Sequence, residues 1–151
     1  MTERTSGVPG AVVGIGATLF NRAGYLPEAL DSLLAQTFRA FQLVLVDDGS
    51  SDRTEAIARG YAERDPRVRY IRHERRQGMT ASWRHAFEEA TANPAIRYFA
   101  WASDHDRWAA GWLETLVGEM EAHPNVVLAY PLTRRLDASG HLLDKPARLF
   151  E

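Results

Sequence analysis

The sequence predicts an α/β protein, an open, mostly parallel sheet with helices on both faces. Three observations predict it. Short apolar runs alternate with stretches of helical periodicity in the order β-α-β-α-β-α-β-α-β. Every connection between runs is long enough for the right-handed crossover that parallel strands require. Polar and charged residues gather just after the apolar runs, at the strand ends where open α/β sheets bind ligands.

Val12–Leu19 is a short apolar run after a Gly/Pro/Ser leader and reads as a buried strand. After a loop at Asn21–Gly24, Pro27 suits a first helical turn, and Leu30, Leu33 and Leu34 recur at helical spacing up to Gln36. Phe41–Val46 is the second strand. Asp47–Ser51 is a turn, and Asp52 with Glu55 resembles a capping box opening a helix to about Arg64. Val68–Ile71 is the third strand. A helix over Thr80–Thr91 carries Trp83, Ala86, Phe87 and Ala90 on one stripe, and Asn93-Pro94 breaks it. Ile96–Ala102 is the fourth strand and Ser103–Arg107 a polar loop. Trp112, Leu113, Leu116, Val117 and Met120 mark a helix ending near His123-Pro124. Val126–Leu132 is expected as a fifth strand, and beyond it only a turn at Asp137–Gly140 is expected, with no long element. The expected organisation is a flexible leader over 1–10, the α/β domain over 11–132, and an irregular tail over 133–151 beginning a missing acceptor-binding half.

The 151 residues suit one domain and one core. A net charge of −2 removes the electrostatic case for a nucleic-acid binder, and no apolar run is long enough to span a bilayer. The absence of cysteine excludes disulfide scaffolds, cysteine nucleophiles and iron–sulfur clusters. No secretion signal precedes the first strand, so the expected location is cytoplasmic, at most peripheral to the inner membrane face.

Four polar segments meet the predicted rim: Thr18–Arg22, Asp47–Ser50, Arg72–Gln77 and Ser103–Asp106. Gly14-Ile15-Gly16 begins like a dinucleotide fingerprint, but Leu19 stands where its third glycine is required. No GxxxxGK[ST] or HExxH exists. Phosphates would therefore need a metal. Asp104 and Asp106, two residues apart, can both face one hard cation such as Mg²⁺ or Mn²⁺, which also takes water and phosphate oxygens. His105 between them is a ligand, a phosphate donor or a spacer; the competing reading makes one of the acids a helix cap. Asp47–Asp52 is a strand-to-helix turn with a glycine for positive φ, or holds an acid that accepts from a nucleobase N–H. Arg64–Arg76 holds six arginines and His73 against Asp65 and Glu74. Its far end, including Arg72, lies where it can clamp a diphosphate. Trp83, Trp101, Trp108 and Trp112 read as core or core edge, with Trp108 the best exception.

The stretches FNRAGYLPEALDSLLAQTF, LVLVDDGSSDRT, QGMTASWRHAFEEA, YFAWASDHDRW and HPNVVLAYP, in this order, closely resemble the nucleotide-sugar-binding half of family 2 glycosyltransferases. The resemblance covers Val12 to Pro131. It implies a GT-A fold, with a Rossmann-like sheet, and a donor that is a nucleotide-diphospho-sugar, commonly a uridine one. By resemblance, Thr18 and Phe20 contact the base, Asp48 hydrogen-bonds it with Asp47 behind, and Asp104-His105-Asp106 matches the DxD-type motif. Asp106 is then the preferred metal ligand and Asp104 lies nearer the ribose and sugar. Family members invert the anomeric carbon and need an acceptor, here unspecified among saccharide, lipid and protein. Thr18-Leu19-Phe20-Asn21 departs from the family's Pro-Thr-Tyr/Phe-Asn. The family's catalytic base lies many tens of residues past the metal motif; Asp137 and Asp144 are too near to match it, so no base is assigned.

Two other readings compete. Nucleotidyl transfer to a sugar phosphate needs a glycine-rich loop with a lysine, whereas the one lysine is Lys145. A non-catalytic nucleotide-sugar-binding module keeps the sheet without turnover.

Overall fold

The computed structural model describes residue 8, residues 10–137 and residues 139–146. The chain divides into two compact units, Met1–Leu113 and Glu114–Glu151. In the first, β1 (Val13–Leu19), α1 (Leu26–Leu34), β2 (Phe41–Asp47), α2 (Thr54–Arg64), β3 (Val68–Arg72), α3 (Met79–Thr91) and β4 (Tyr98–Trp101) follow in turn. All pairings are parallel and the sheet order is β3-β2-β1-β4. The alternation of apolar runs and helical stretches is thus borne out over this unit.

The order fixes the layers. α1 and α2 carry the chain from β1 through β2 to β3 in one direction, and α3 brings it back to β4. Right-handed crossovers therefore put α3 on the opposite face from α1 and α2. Side-chain alternation matches: Val44 and Val46 on β2 pack with Ala86 and Ala90 of α3. In α1, Pro27 occupies the first turn, and Leu26, Ala29, Leu30 and Leu33 form the buried stripe. On α2, the Tyr61 hydroxyl donates to Asp31 of α1 at 2.5 Å, and burial with this carboxylate pushes the phenol up to about 12.

α3 approaches β1 closely enough to require glycine. A Cβ at Gly14 would lie 2.1 Å from the Ala90 carbonyl oxygen, and one at Gly16 would meet the Trp101 and Phe99 rings at 3.1–3.2 Å. The same Ala90 oxygen, which lies in the last helical turn, accepts from the buried Gln42 Nε2 at 2.8 Å. Small residues on α3, Ser82, Ala86 and Ala90, complete the fit. Gly14 thus serves the packing of α3, and Gly16 leaves room for aromatic rings from β4. The predicted aromatic stripe differs from expectation: Trp83 and Phe87 are half exposed and pack with Trp101 and Phe99.

The predicted capping box is replaced by a tighter turn. Asp52 accepts from the Thr54 N–H at 2.9 Å, while Glu55 pairs with Arg59 and Arg72. Two arginines within reach draw the Glu55 carboxylate away from the helix start.

Gln36 is fully buried just past α1 and was not singled out by sequence pattern. Its Nε2 donates to Ser32 and Ala109 carbonyls at 3.2 and 2.7 Å, and its Oε1 accepts from the Leu113 N–H at 3.0 Å. It anchors the chain leaving the acid loop. Gln36→Ala leaves the buried Leu113 N–H and the partly buried Ala109 carbonyl without their partner, so a loss of about 1–3 kcal/mol in urea unfolding is expected; a change under about 0.5 kcal/mol would contradict this role.

α4 (Trp112–Ala122) begins with Trp112 and Leu113, both buried. In the second unit, β5 (Arg134–Leu136) and β6 (Leu142–Pro146) form an antiparallel pair around the expected turn. The fifth strand expected at Val126–Leu132 is absent: the segment has no strand assignment, and Val127, Leu128, Tyr130 and Leu132 are exposed. Apolar β-branched composition makes a strand only where a neighbouring edge accepts its backbone, and none of the described strands pairs here. The expected leader lies outside the described residues except for residues 8 and 10.

Candidate active site: the carboxyl rim of the sheet

β1 lies between β2 and β4, so its carboxyl end is flanked by the Asp47-Asp48 turn on one side and the Ser103–Asp106 loop on the other. The chain order reverses direction between β1 and β4, the position where open α/β sheets form their crevice.

Successive residues at the end of β2 turn to opposite faces. Asp47 is fully buried. Its Oδ1 accepts from the Ser50 N–H and hydroxyl at 2.8 and 2.6 Å, and its Oδ2 from the Tyr70 hydroxyl at 2.7 Å and Arg72 at 3.3 Å. Asp48 turns towards α3. Its Oδ1 accepts from the Gln77 N–H at 2.7 Å and faces His73 Nδ1 at 3.1 Å; its Oδ2 accepts from the Gly78 N–H at 2.9 Å. Burial raises the Asp48 pKa, but these donors outweigh it and hold the carboxyl below its ordinary range. Asp48 is therefore an ionised group at the start of α3, where helix N–H groups favour negative charge. Gly49 at φ 76° permits the turn, and the backbone of Arg75 and Arg76 passes within 3.3–3.7 Å of where its Cβ would stand.

Hydroxyls and acids of the β2–α2 loop hold the β1–α1 loop. The Asn21 N–H donates to Ser50 Oγ at 3.0 Å, Arg22 N–H to Thr54 Oγ1 at 2.8 Å and Ala23 N–H to Asp52 Oδ2 at 3.1 Å. Asn21 Oδ1 accepts from the Ser51 N–H at 2.9 Å, and Asn21 itself sits at φ 54°. These contacts, unforeseen in the sequence reading, position Phe20. Arg76 lies over the Phe20 ring at 4.0 Å. Thr18 is half-buried one residue before the end of β1.

Arg72, expected to be able to clamp a diphosphate, directs its guanidinium to Asp47, to the Ser50 carbonyl at 3.1 Å and to Glu55 at 3.2 Å. Elsewhere in the basic segment, Arg67 pairs with Asp65 and Arg69 with Glu89. Arg75 and Arg76 are exposed. On the β4 side, Asp104 faces Arg22 at 3.3 Å and His105 Nδ1 at 2.6 Å. Asp106 is exposed and has no ion pair among the described residues. Trp108 and Trp112 pack against each other at 4.2 Å.

No group of three or more acid or imidazole ligands occurs among the described residues. The acid loop instead offers one unpaired carboxylate, Asp106, and one shared with Arg22, Asp104. That donor set fits Mg²⁺ or Mn²⁺, which take one or two protein carboxylates and complete their shell with water and phosphate oxygens.

Asp48, Asp52 and Asp65 are all held below the ordinary carboxyl value of 3.8, in each case by hydrogen bonds that outweigh burial. A depressed folded-state pKa stabilises the fold above the unfolded value, and the contribution is lost as pH falls through the folded one. The urea midpoint should therefore fall between pH 6 and pH 3; an unchanged midpoint would contradict the assignment.

An open parallel sheet with acids on its carboxyl rim matches the fold of GT-A glycosyltransferases. The chain belongs to glycosyl transferase family 2, whose family model matches residues 15–144. It is similar to an uncharacterized glycosyltransferase of Rickettsia typhi, 31% identical over 133 residues, covering 87% of this chain and 39% of the relative. It is also similar to the uncharacterized glycosyltransferase EpsJ of Bacillus subtilis, 38% identical over 71 residues, covering 47% of this chain and 20% of that one. Among solved structures, S. aureus TarS in complex with UDP-GlcNAc superposes with a TM-score of 0.67 at 22% identity, over 74% of this chain and 32% of TarS. This likeness bears out the expected fold. The chain thus spans 39% of the length of its Rickettsia relative.

Proposed function

We propose that the rim binds the nucleotide-diphosphate part of a sugar donor, as a donor-binding half for transfer to an acceptor hydroxyl with inversion. The observation that carries this reading is Asp48: an ionised carboxylate at the carboxyl end of the sheet whose Oδ2 accepts one hydrogen bond, from Gly78. A carboxylate oxygen accepts two, and Arg76 Nε, at 3.8 Å from Oδ2, stands beyond hydrogen-bond distance, so in this reading the second position takes a nucleobase N–H. Thr18 and Phe20, beside it, form the base-side wall. Asp47 and Arg72 act behind, fixing the turn. Arg75 and Arg76, both exposed residues, are the cations proposed for the diphosphate, with Arg76 turning from Phe20 and Asp48 to reach it, and His105 a further phosphate contact.

A divalent cation held by Asp106 and Asp104 would neutralise the diphosphate as it leaves. Asp104 would exchange its Arg22 contact for the cation, freeing Arg22 for phosphate. The UDP-GlcNAc complex of TarS supports a uridine donor for this rim, and a cytoplasmic location belongs to the same proposal. No described helix is long and apolar enough to cross a membrane.

The second reading, donor binding without turnover by this chain, is favoured by Asp137. Its carboxylate is committed to its own turn, accepting from the Ser139 N–H and hydroxyl and the His141 N–H at 2.7–2.9 Å. Calorimetric titration with UDP separates the claims about the acid loop. Binding should strengthen with Mg²⁺ or Mn²⁺, and Asp106→Ala should abolish that gain. Equal affinity with and without cation, in both proteins, would reject the metal role. Release of sugar or product from a UDP-sugar by this chain would reject the second reading.

A further inference from the structure

Behind Asp48 runs a chain of side chains that the donor reading does not use. His73 Nδ1 lies 3.1 Å from Asp48 Oδ1, and His73 Nε2 lies 2.9 Å from His85 Nδ1. The two ring planes are 5° apart with centroids separated by 5.2 Å. With an N···N contact of 2.9 Å, that separation places the rings edge to edge in nearly one plane, the arrangement of an in-plane N–H···N bond. His85 Nε2 faces Glu89 Oε1 at 3.6 Å, and Glu89 is itself paired with Arg69 on β3. The His73 side chain is 13% exposed and its backbone N–H donates to the Asp47 carbonyl, so ring and main chain are both held.

The bonds dictate the protons. An ionised carboxylate only accepts, so His73 Nδ1 must donate to Asp48. In a neutral ring Nε2 is then an acceptor, and His85 Nδ1 must supply its hydrogen. Free imidazole side chains have no such constraint. We propose that His85 and His73 are positioning residues for donor recognition: His85 locks His73 as the Nδ1–H tautomer, which fixes Asp48 Oδ1 and leaves the open acceptor position on Oδ2. Without His85, His73 can turn its protonated nitrogen away from Asp48, and the carboxylate loses one of the donors that set its orientation. Arg76 Nε, at 3.8 Å from Oδ2, is then the nearest cation to draw it aside.

This inference rests on Asp48 receiving the donor's base, and two readouts keep the claims apart. Asparagine places an amide N–H close to where histidine holds Nδ1, whereas leucine offers no donor. His85→Asn and His85→Leu therefore separate the hydrogen bond from bulk. The ¹⁵N spectra of the imidazoles should show His73 as the Nδ1–H tautomer in the unsubstituted chain and in His85→Asn, but shifted towards Nε2–H in His85→Leu. UDP titrated in the presence of Mg²⁺ should bind roughly tenfold more weakly to His85→Leu and within about twofold of the unsubstituted chain to His85→Asn. An Nε2–H tautomer in the unsubstituted chain, or equal UDP affinity in the two variants, would overturn the proposal. If the unsubstituted chain binds no UDP, the donor reading fails and the recognition role with it, while the tautomer spectra still decide whether the lock exists.

Discussion

Gly14→Ala should lower the thermal midpoint by roughly 10–20 °C, although alanine is ordinarily the mildest replacement for a strand glycine. Its Cβ would stand 2.1 Å from the Ala90 carbonyl oxygen and 2.9 Å from the carbonyl carbon, both main-chain atoms of α3. No rotamer change relieves a clash between two backbones, so α3 must move off the sheet. That movement strains the Val44, Val46, Ala86 and Ala90 cluster and the Gln42 bond to the same carbonyl. Overpacking costs about 1–3 kcal/mol, and an orphaned buried amide about 1–3 more. For a chain of this size each kcal/mol moves the midpoint by about 2–4 °C or somewhat more. Gly24→Ala, where nothing lies within 4 Å, is the control and should change little. Equal midpoints for the two variants would refute the close approach of α3 to β1.

Asp47→Ala and Asp48→Asn should fail in different ways, although the two acids are adjacent. The Asp47 carboxylate, fully buried, takes donors from Ser50, Tyr70 and Arg72. Its removal leaves the Tyr70 hydroxyl and the Ser50 N–H and hydroxyl without their acceptor, while Arg72 keeps Glu55 and the Ser50 carbonyl, so a loss of about 3–5 kcal/mol is expected. Tyr70, whose hydroxyl is held well above its usual range by burial and by this acid, should titrate nearer its ordinary value in any folded fraction. Asp48→Asn keeps the shape but sets an amide –NH₂ against one of the N–H groups of Gln77 and Gly78. A stability loss of about 1–3 kcal/mol is expected, with the fold retained. The proposed nucleobase contact is weakened, so UDP affinity should fall while the fold persists. Urea unfolding and UDP titration on both variants check this division; the reverse pattern, with Asp47→Ala stable and Asp48→Asn unfolded, would contradict it.

The strands and helices of the first unit were legible because their periods differ: buried runs such as Phe41–Val46 cannot be confused with the Leu30, Leu33, Leu34 stripe. The rim was legible for a related reason, since polar residues bunch where buried strands stop. What the sequence could not show depends on partners distant along the chain. Gly14 and Gly16 invite a phosphate-binding reading until Ala90 and the β4 aromatics are placed over them. Arg72 stands in a basic run that points to anion binding, but its register opposite Asp47 turns its donors inward. The roles of Gln36, Ser50, Thr54, His73 and His85 arise only when loops meet. Val126–Leu132 shows the converse, a strand-like composition that pairs with none of the described strands.

The most direct test of the donor-binding account is the affinity of UDP for the intact chain in the presence of Mg²⁺, compared with that of Asp48→Asn under conditions where both are folded. The account predicts saturable binding at one site, weakened roughly 10- to 100-fold by the substitution. No saturable binding, or the same affinity in both proteins, would contradict it.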